Sequence, residues 1–316
     1  MFQLIRSSFG PFQQLQISHR PSNNHFTIVP EYGASLLNLQ LNGRDILDAY
    51  TTVDELKQHD WYKSEWLFPF PNRLKNGQYT FEGKSYEFPI NNPETGNALH
   101  GFSAGKAYEV VRIELQEEEA HMHCRHQYEG QDVVYPFSFQ VDIHFSLKSS
   151  GHFEVEMQVK NTGDRPLPMG LGWHPYFRLD GEVDSWSLQL PPSQQIAIDE
   201  WMIPTGGLLE FDVFEDLTPI GAHVLDSGFL LRDTSSFGQA SVTLSDSLGH
   251  LMYWQETGPG KFNYLQVFTP PARKSIALEP MTCNIDAFNN GDGLQRLEVG
   301  AQMGGRFGCS YQGKAI

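Results

Sequence analysis

Four short segments carry side chains suited to acid, base or hydrogen-bond chemistry. Phe68-Pro69-Phe70-Pro71-Asn72-Arg73 ends a proline-stiffened, extended run on an amide and a guanidinium. Two prolines exclude it from a central strand, so it is a rigid loop, which a purely structural arginine would also suit. Leu99-His100-Gly101-Phe102 sets a histidine beside a glycine in a short loop. In Gly170-Leu171-Gly172-Trp173-His174-Pro175-Tyr176-Phe177, Pro175 restricts His174 to an extended backbone, and the aromatics around it predict a partly dry setting. A core histidine bonded to backbone fits those residues as well as a reactive one. Ser275-Ile276-Ala277-Leu278-Glu279-Pro280-Met281-Thr282 is an apolar strand that delivers a carboxylate, with Pro280 expected to stop the ladder there. An ionised glutamate in such surroundings is costly unless paired, which points to a raised pKa or a function.

Other devices are missing. The chain has no glycine-rich phosphate loop followed by Lys-Ser or Lys-Thr, no dinucleotide fingerprint and no Gly-x-Ser-x-Gly elbow. The most metal-like run is His121-Met122-His123-Cys124-Arg125-His126. On a strand, His121 and His123 share one face while Cys124 and His126 share the other, so the four cannot converge. The same-face pair could bind a metal only with a third ligand from elsewhere. The run is read as surface histidines on an edge strand.

The elements that must position these groups are strands. In Phe137-Ser138-Phe139-Gln140-Val141-Asp142-Ile143-His144-Phe145 every odd position is apolar, the period of a strand with one buried face. The alternation resumes at Phe153, Val155, Met157 and Val159 after a Lys148-Ser149-Ser150-Gly151 turn, which makes a hairpin. Tyr79-Thr80-Phe81 and Tyr86-Glu87-Phe88 flanking Glu82-Gly83-Lys84-Ser85, and Leu39 to Leu47 across Asn42-Gly43, read the same way. Further strands are expected near 109–115, 120–128, 186–190, 241–246, 251–256, 264–269 and 275–279. Pro191-Pro192 and Pro270-Pro271 look like corners between strands, and Glu117-Glu118-Glu119 like a solvated hairpin tip. No long segment has helical periodicity, so the fold class is all-β, an antiparallel sandwich or barrel. Without repeats or linkers, residues 1–316 read as one large domain.

Composition narrows the ligand. Twenty-two Lys and Arg against 38 Asp and Glu give a formal charge of −16. That field repels nucleic acid and anionic membranes and mildly disfavours acidic substrates, leaving neutral small molecules. Aromatic residues make up 13% of the chain and can supply flat platforms for sugar rings. Cys124, Cys283 and Cys309 are odd in number and widely spaced, as in reduced thiols of a cytoplasmic protein. The N-terminal residues lack a continuous apolar stretch for a signal peptide, and no run reaches membrane-spanning length. The protein is therefore read as soluble and cytoplasmic. Nothing in the sequence addresses its oligomeric state.

Taken in order, the four segments resemble those of the aldose 1-epimerase (galactose mutarotase) family. Leu225-Asp226-Ser227-Gly228-Phe229 and Leu265-Gln266-Val267-Phe268-Thr269 add two more, and the likeness spans roughly residues 25 to 305. The resemblance implies a large antiparallel β-sandwich with an open sugar-binding cleft on one sheet face. It implies Glu279 as general base at the anomeric hydroxyl and His174 as general acid at the ring oxygen, with His100 sharing that region. Asn72, Arg73, Asp226 and Gln266 align with positions that hold the sugar hydroxyls. Ring opening moves one proton from O1 and one to O5, so it needs an acid and a base but no cofactor and no metal.

The sequence departs from the best-known mutarotases in places. Arg178-Leu179 follows His-Pro-Tyr-Phe where Asn-Leu is usual, and Pro270-Pro271 follows Phe268-Thr269 where Gly-Asn is usual. The Asp226 segment lacks its usual His and Asn, which leaves the choice of sugar open. One rival reading is anomer interconversion of a hexose 6-phosphate, with Arg178, Arg273 and Lys274 as candidate phosphate partners. Another is a carbohydrate-binding module, although pure binding needs no acid–base set. A glycoside hydrolase would want a second carboxylate opposite Glu279, for which Asp226 is the candidate.

Overall fold

A computed structural model describes residues 1–232 and 236–314. Two antiparallel sheets face each other, and a third closes one end. The larger has nine strands, ordered Glu109–Leu115, Glu119–Tyr128, Phe139–Lys148, His152–Asn161, Gln302–Gly313, Gly249–Thr257, Gly238–Ser245, Ser187–Gln189 and Thr218–Pro219. The second runs Pro204–Glu210, Ser193–Ile198, Asp226–Leu231, Tyr264–Phe268, Ile276–Met281, Gly172–Trp173 and Trp66–Leu67, with Tyr176–Phe177 also paired to Ile276–Met281. An N-terminal meander of Gln3–Phe9, Phe12–His19, Asn24–Val29, Ser35–Leu41 and Arg44–Asp45 forms the third. The two α-helices among the described residues, Val53–Gln58 and Ala287–Asn290, are single short pieces.

Alternation in sequence becomes alternation in burial. Val141, Ile143, Phe145 and Leu147 point inward beside Phe153, Val155, Met157 and Val159 of the next strand. From the second sheet, Leu265, Val267, Ile276 and Leu278 point back at them. Aromatic rings join the layers. Trp66 meets Phe145 edge-on at 5.7 Å and stacks on Trp173 at 5.7 Å, and Trp173 stacks on Phe307 at 5.1 Å. Such pairs add to the burial of large apolar area. Phe26 stacks on Phe145 at 5.5 Å and so ties the N-terminal sheet to the same core.

The hairpins expected at Asn42-Gly43, Glu82–Ser85 and Lys148–Gly151 all form, the second with a tighter turn, since Lys84 and Ser85 already pair with Phe81 and Thr80. At the first, Asn42 and Gly43 both take positive φ, +51° and +77°, as a two-residue turn between antiparallel strands requires. Two expectations are corrected. Glu119–Tyr128 is not an edge strand, because Glu109–Leu115 pairs along its outer side. And Pro280 does not end the ladder, since Ile276–Met281 continues through it with Pro280 opposite Leu265. Pro280 lacks an N–H, but the strand stays paired on either side of it, Glu279 with Gln266 and Met281 with Tyr264 and Gly172, so the loss of one ladder bond is tolerated.

Phe145 touches both other sheets through Phe26 and Trp66, and it is fully buried. Phe145→Ala should therefore lower unfolding free energy by roughly 3–5 kcal/mol, measured by urea denaturation. A loss below about 1 kcal/mol would mean that this junction is not where the sheets are joined.

Candidate functional site

The outward face of the eight-stranded sheet forms the floor of a cleft. Along Tyr264–Phe268 the residues facing out are Tyr264, Gln266 and Phe268, and along Ile276–Met281 they are Ala277, Glu279 and Met281, while the intervening residues enter the core. Gln266 lies opposite Glu279 on one side and opposite Gly228 on the other. On the far side of Glu279, Gly172 pairs with Met281 and Tyr176 with Ala277. That register sets His174 opposite Glu279. Gly228, Gln266, Glu279 and His174 thus form one row across four strands.

The row is tight. His174 Nε2 is 3.4 Å from Glu279 Oε1, and both side chains are almost wholly buried. A Cβ at Gly228 would come within 3.3 Å of Gln266 Oε1 and 3.2 Å of Ile196 Cδ1, so the glycine leaves this part of the floor open. Gln266 Nε2 donates to Asp226 Oδ1 at 2.8 Å. The backbone of His174 is clamped from the other direction. Its carbonyl accepts the Ser64 N–H at 2.8 Å, and its N–H donates to the Glu65 carbonyl at 3.0 Å.

Two loops supply the walls and are knitted to each other. The Asn72 N–H donates to His100 Nδ1 at 3.1 Å, and the His100 N–H donates to the Asn72 carbonyl at 2.8 Å. Asn72 and His100 both have positive φ, +57° and +62°, a strained choice that this reciprocal pairing holds. Asn72 Oδ1 then accepts from the Arg73 N–H at 2.9 Å and from Arg73 Nη1 at 3.1 Å, aiming the guanidinium. Gly101 must be glycine. Its φ is +69°, and a Cβ there would lie 2.2 Å from the Phe68 carbonyl oxygen.

The resulting cavity, about 420 Å³, is lined by all seven residues singled out in the sequence: Asn72, Arg73, His100, His174, Asp226, Gln266 and Glu279. Four of them present buried atoms without a partner among the described residues: Arg73 Nε, His174 Nδ1, Gln266 Oε1 and Glu279 Oε2. Buried polar atoms are rarely left so, and these four border one cavity, where a polyhydroxylated ligand could satisfy them.

Burial dominates the electrostatics. It pushes the Glu279 carboxyl well above the usual range, with Asp226 adding to the rise and Arg73 opposing it. Asp226 is raised by burial against the pull of Arg73 and Gln266. Burial pushes His174 down to about 3. His100 is lowered well below its ordinary value by burial, by His174 and by Arg73. Glu279 and His174 touch, so their protons belong to the pair, which in a dry site favours holding one proton between them. For His100 the tautomer follows from geometry. Nδ1 accepts a backbone N–H, so in the neutral ring the proton is on Nε2.

Over this site, the aldose 1-epimerase family profile matches residues 15–310. The chain belongs to the aldose 1-epimerase family. It is 29% identical to the uncharacterized protein YihR of Escherichia coli K12 over 293 residues, 90% of this chain and 89% of that one. It is 22% identical to the galactose mutarotase of Rattus norvegicus, covering 82% and 79%. A crystal structure of a galactose mutarotase-like protein from Clostridium acetobutylicum superposes with a TM-score of 0.85 at 19% identity, covering 100% of this chain and 99% of that one. Its fold is shared.

The cleft also contains residues that the sequence did not flag. Trp61 and Tyr62 come from a turn in which His59, Trp61, Tyr62 and Ser64 all have positive φ. Tyr62 meets His100 edge-on at 4.7 Å and lies over His174 at 6.4 Å, while Trp61 stacks on Phe268 at 6.2 Å. A hydrogen bond anchors the turn, with His59 Nδ1 at 2.8 Å from Oε1 of the buried Glu65, which also accepts from the Tyr50 hydroxyl. Arg178, Arg273 and Lys274 are not among the cleft's lining residues. Arg178 pairs with Asp45, and Arg273 with Asp184 and the carbonyls of Gly221 and His223.

Gly101→Ala should cost more than the ~1–2 kcal/mol of a left-handed residue, since its Cβ must also displace the Phe68 carbonyl. Chemical denaturation reads the stability, and calorimetric titration with galactose should show weakened binding as His100 moves. Unchanged values of both would show that this loop does not depend on Gly101.

Proposed function

We propose that the protein is an aldose 1-epimerase, interconverting the α and β anomers of a free, neutral hexose by ring opening and reclosure. The observation that carries this reading is the contact between His174 and Glu279, 3.4 Å apart on the cleft floor. O1 and O5 of an aldose are bonded to the same carbon, so an acid and a base serving both must be neighbours. Burial favours the neutral form of the pair, with the shared proton on Glu279, and transfer of that proton to His174 gives the carboxylate–imidazolium form that reacts. Glu279 takes the O1 proton, C1=O1 forms as the C1–O5 bond breaks, and His174 delivers its proton to O5. Rotation about C1–C2 presents the other face of the aldehyde, and the steps reverse.

The cleft supports the remaining roles. His100 offers Nε2–H as a fixed hydrogen-bond donor near the ring oxygen, while its Nδ1 is occupied by Asn72. Arg73, Asn72, Asp226 and Gln266 supply donors and acceptors for the hydroxyls. Trp61, Phe268 and Tyr176 provide aromatic faces against which C–H surfaces of a sugar can pack.

A phosphorylated hexose fits less well, because Arg73 is the one Lys or Arg among the described lining residues, and it is already bonded to Asn72 and faces Asp226 and Glu279. The three cysteines are unpaired thiols, which supports a reducing, cytoplasmic setting.

Polarimetry on freshly dissolved α-glucose and α-galactose tests the activity, and catalysis of neither would refute it. Glu279→Gln should slow the reaction by about 10²–10⁴-fold while leaving sugar affinity similar, because the amide keeps the shape but takes no proton. Near-normal turnover in a folded Glu279→Gln protein removes Glu279 from the mechanism.

The pH profile of kcat/KM should be bell-shaped. Its acid limb marks protonation of the carboxylate and its alkaline limb loss of the imidazolium proton, both as properties of the pair. In His174→Asn the alkaline limb should flatten. Its persistence would transfer the acid role to another group.

A further inference from the structure

The outer face of the nine-stranded sheet, on the opposite side of the sandwich from the cleft, carries a second cluster of donors. His123 and His144 are directly opposite each other on adjacent strands, and their rings stack with centroids 4.1 Å apart. Asp142, two residues before His144 on the same face, brings Oδ1 to 2.5 Å from His123 Nε2. One donor atom from each of the three lies within 4.8 Å of the others. The neighbouring strand thus supplies two donors beside one histidine of the run, His123, and His121 is not among the three.

We propose that His123, Asp142 and His144 form a binding site for a borderline divalent cation, with zinc as the reference ion. Two imidazoles and a carboxylate suit such an ion, which bonds to nitrogen and oxygen at about 2.0–2.2 Å. At present a single proton joins His123 Nε2 to Asp142 Oδ1. A cation takes that proton's place when the two side chains separate by less than about 1 Å, given those bond lengths. His144 makes no side-chain hydrogen bond among the described residues, so its ring is free to turn toward the ion.

The carboxylate is already oriented for this. Gln140 Nε2 donates to Asp142 Oδ2 at 2.6 Å, and Arg125 Nε donates to Oδ1 at 2.7 Å. Partners of this kind fix a ligand's geometry. Arg125 also opposes a cation, so its removal should tighten binding. The cavity beside the rings, about 320 Å³, is also lined by His121 and Glu114 and leaves room for a further ligand or water.

The test is equilibrium dialysis of untagged, EDTA-stripped full-length protein against micromolar zinc, with metal counted by elemental analysis. One zinc per chain is expected. His144→Ala and Asp142→Asn should lose it, Gln140→Ala should weaken it by about tenfold, Arg125→Gln should strengthen it, and His250→Ala, on a distant strand, should keep it. Cobalt should give a visible absorption band in the wild type that is absent in His144→Ala. Stripped and loaded protein should anomerise sugar at the same rate, which separates this site from the cleft. Substoichiometric zinc, or full binding in folded His144→Ala, overturns the proposal.

Discussion

Everything in the cleft depends on keeping one carboxyl group out of water. Glu279 is 2% exposed on a strand whose other outward residues are Ala277 and Met281, and an isolated carboxylate there would be untenable. What makes the position tolerable is the set of groups around it. His174 and Gln266 flank it across the sheet, and Arg73 reaches over from a loop. None of these is enough alone, and each has a buried polar atom with no partner among the described residues. The group stays charge-balanced only as a unit. That explains why the sheet register, rather than any single contact, is the feature under most constraint: a one-residue slip of Ile276–Met281 would turn Glu279 into the core.

Rigid strands set the floor, and strained loops set the walls. The floor's spacing comes from strand pairing and costs nothing beyond forming the sheet. The walls use left-handed backbone at Asn72, His100, Trp61 and Tyr62, which L-residues adopt at a penalty. The penalty is offset locally, by the reciprocal Asn72–His100 hydrogen bonds on one wall and the His59–Glu65 hydrogen bond under the other. Functional geometry on rigid elements, with strain confined to short anchored turns, is how a site keeps its precision while its loops remain shaped for a ligand.

Most of the sandwich was legible because period-two alternation is a direct imprint of a sheet with one buried face. Phe139–Lys148 and His152–Asn161 show it without a break. Gln3–Phe9 does not, as most of its residues are exposed on both faces, and no pattern announced it. The seven cleft residues could be read because carboxylates, histidines and guanidinium beside prolines and glycines are odd company on strands. Trp61 and Tyr62 had no such signal. Their position rests on a run of positive φ values that only the anchoring of His59 by Glu65 explains, and that contact crosses a turn with no periodicity. The strand-end assignment of Glu279 failed for a related reason. Whether a proline ends a ladder depends on the pairing of its neighbours, and here Glu279 with Gln266 and Met281 with Tyr264 and Gly172 carry the strand past Pro280.

The same pair helps to choose among chemistries for the cleft. A glycoside hydrolase needs two carboxyl groups with separate duties on opposite sides of the scissile bond. Here the second carboxylate, Asp226, is bound by Gln266 and faces Arg73, an arrangement suited to holding a hydroxyl. The immediate partner of Glu279 is a histidine instead. A carboxylate–imidazolium pair can give one proton and take one in the same step, so the net charge of the site is the same before, during and after. In a buried site, where every unbalanced charge is expensive, that economy favours a reaction with no net proton change and no released group. Opening and reclosing a sugar ring is such a reaction.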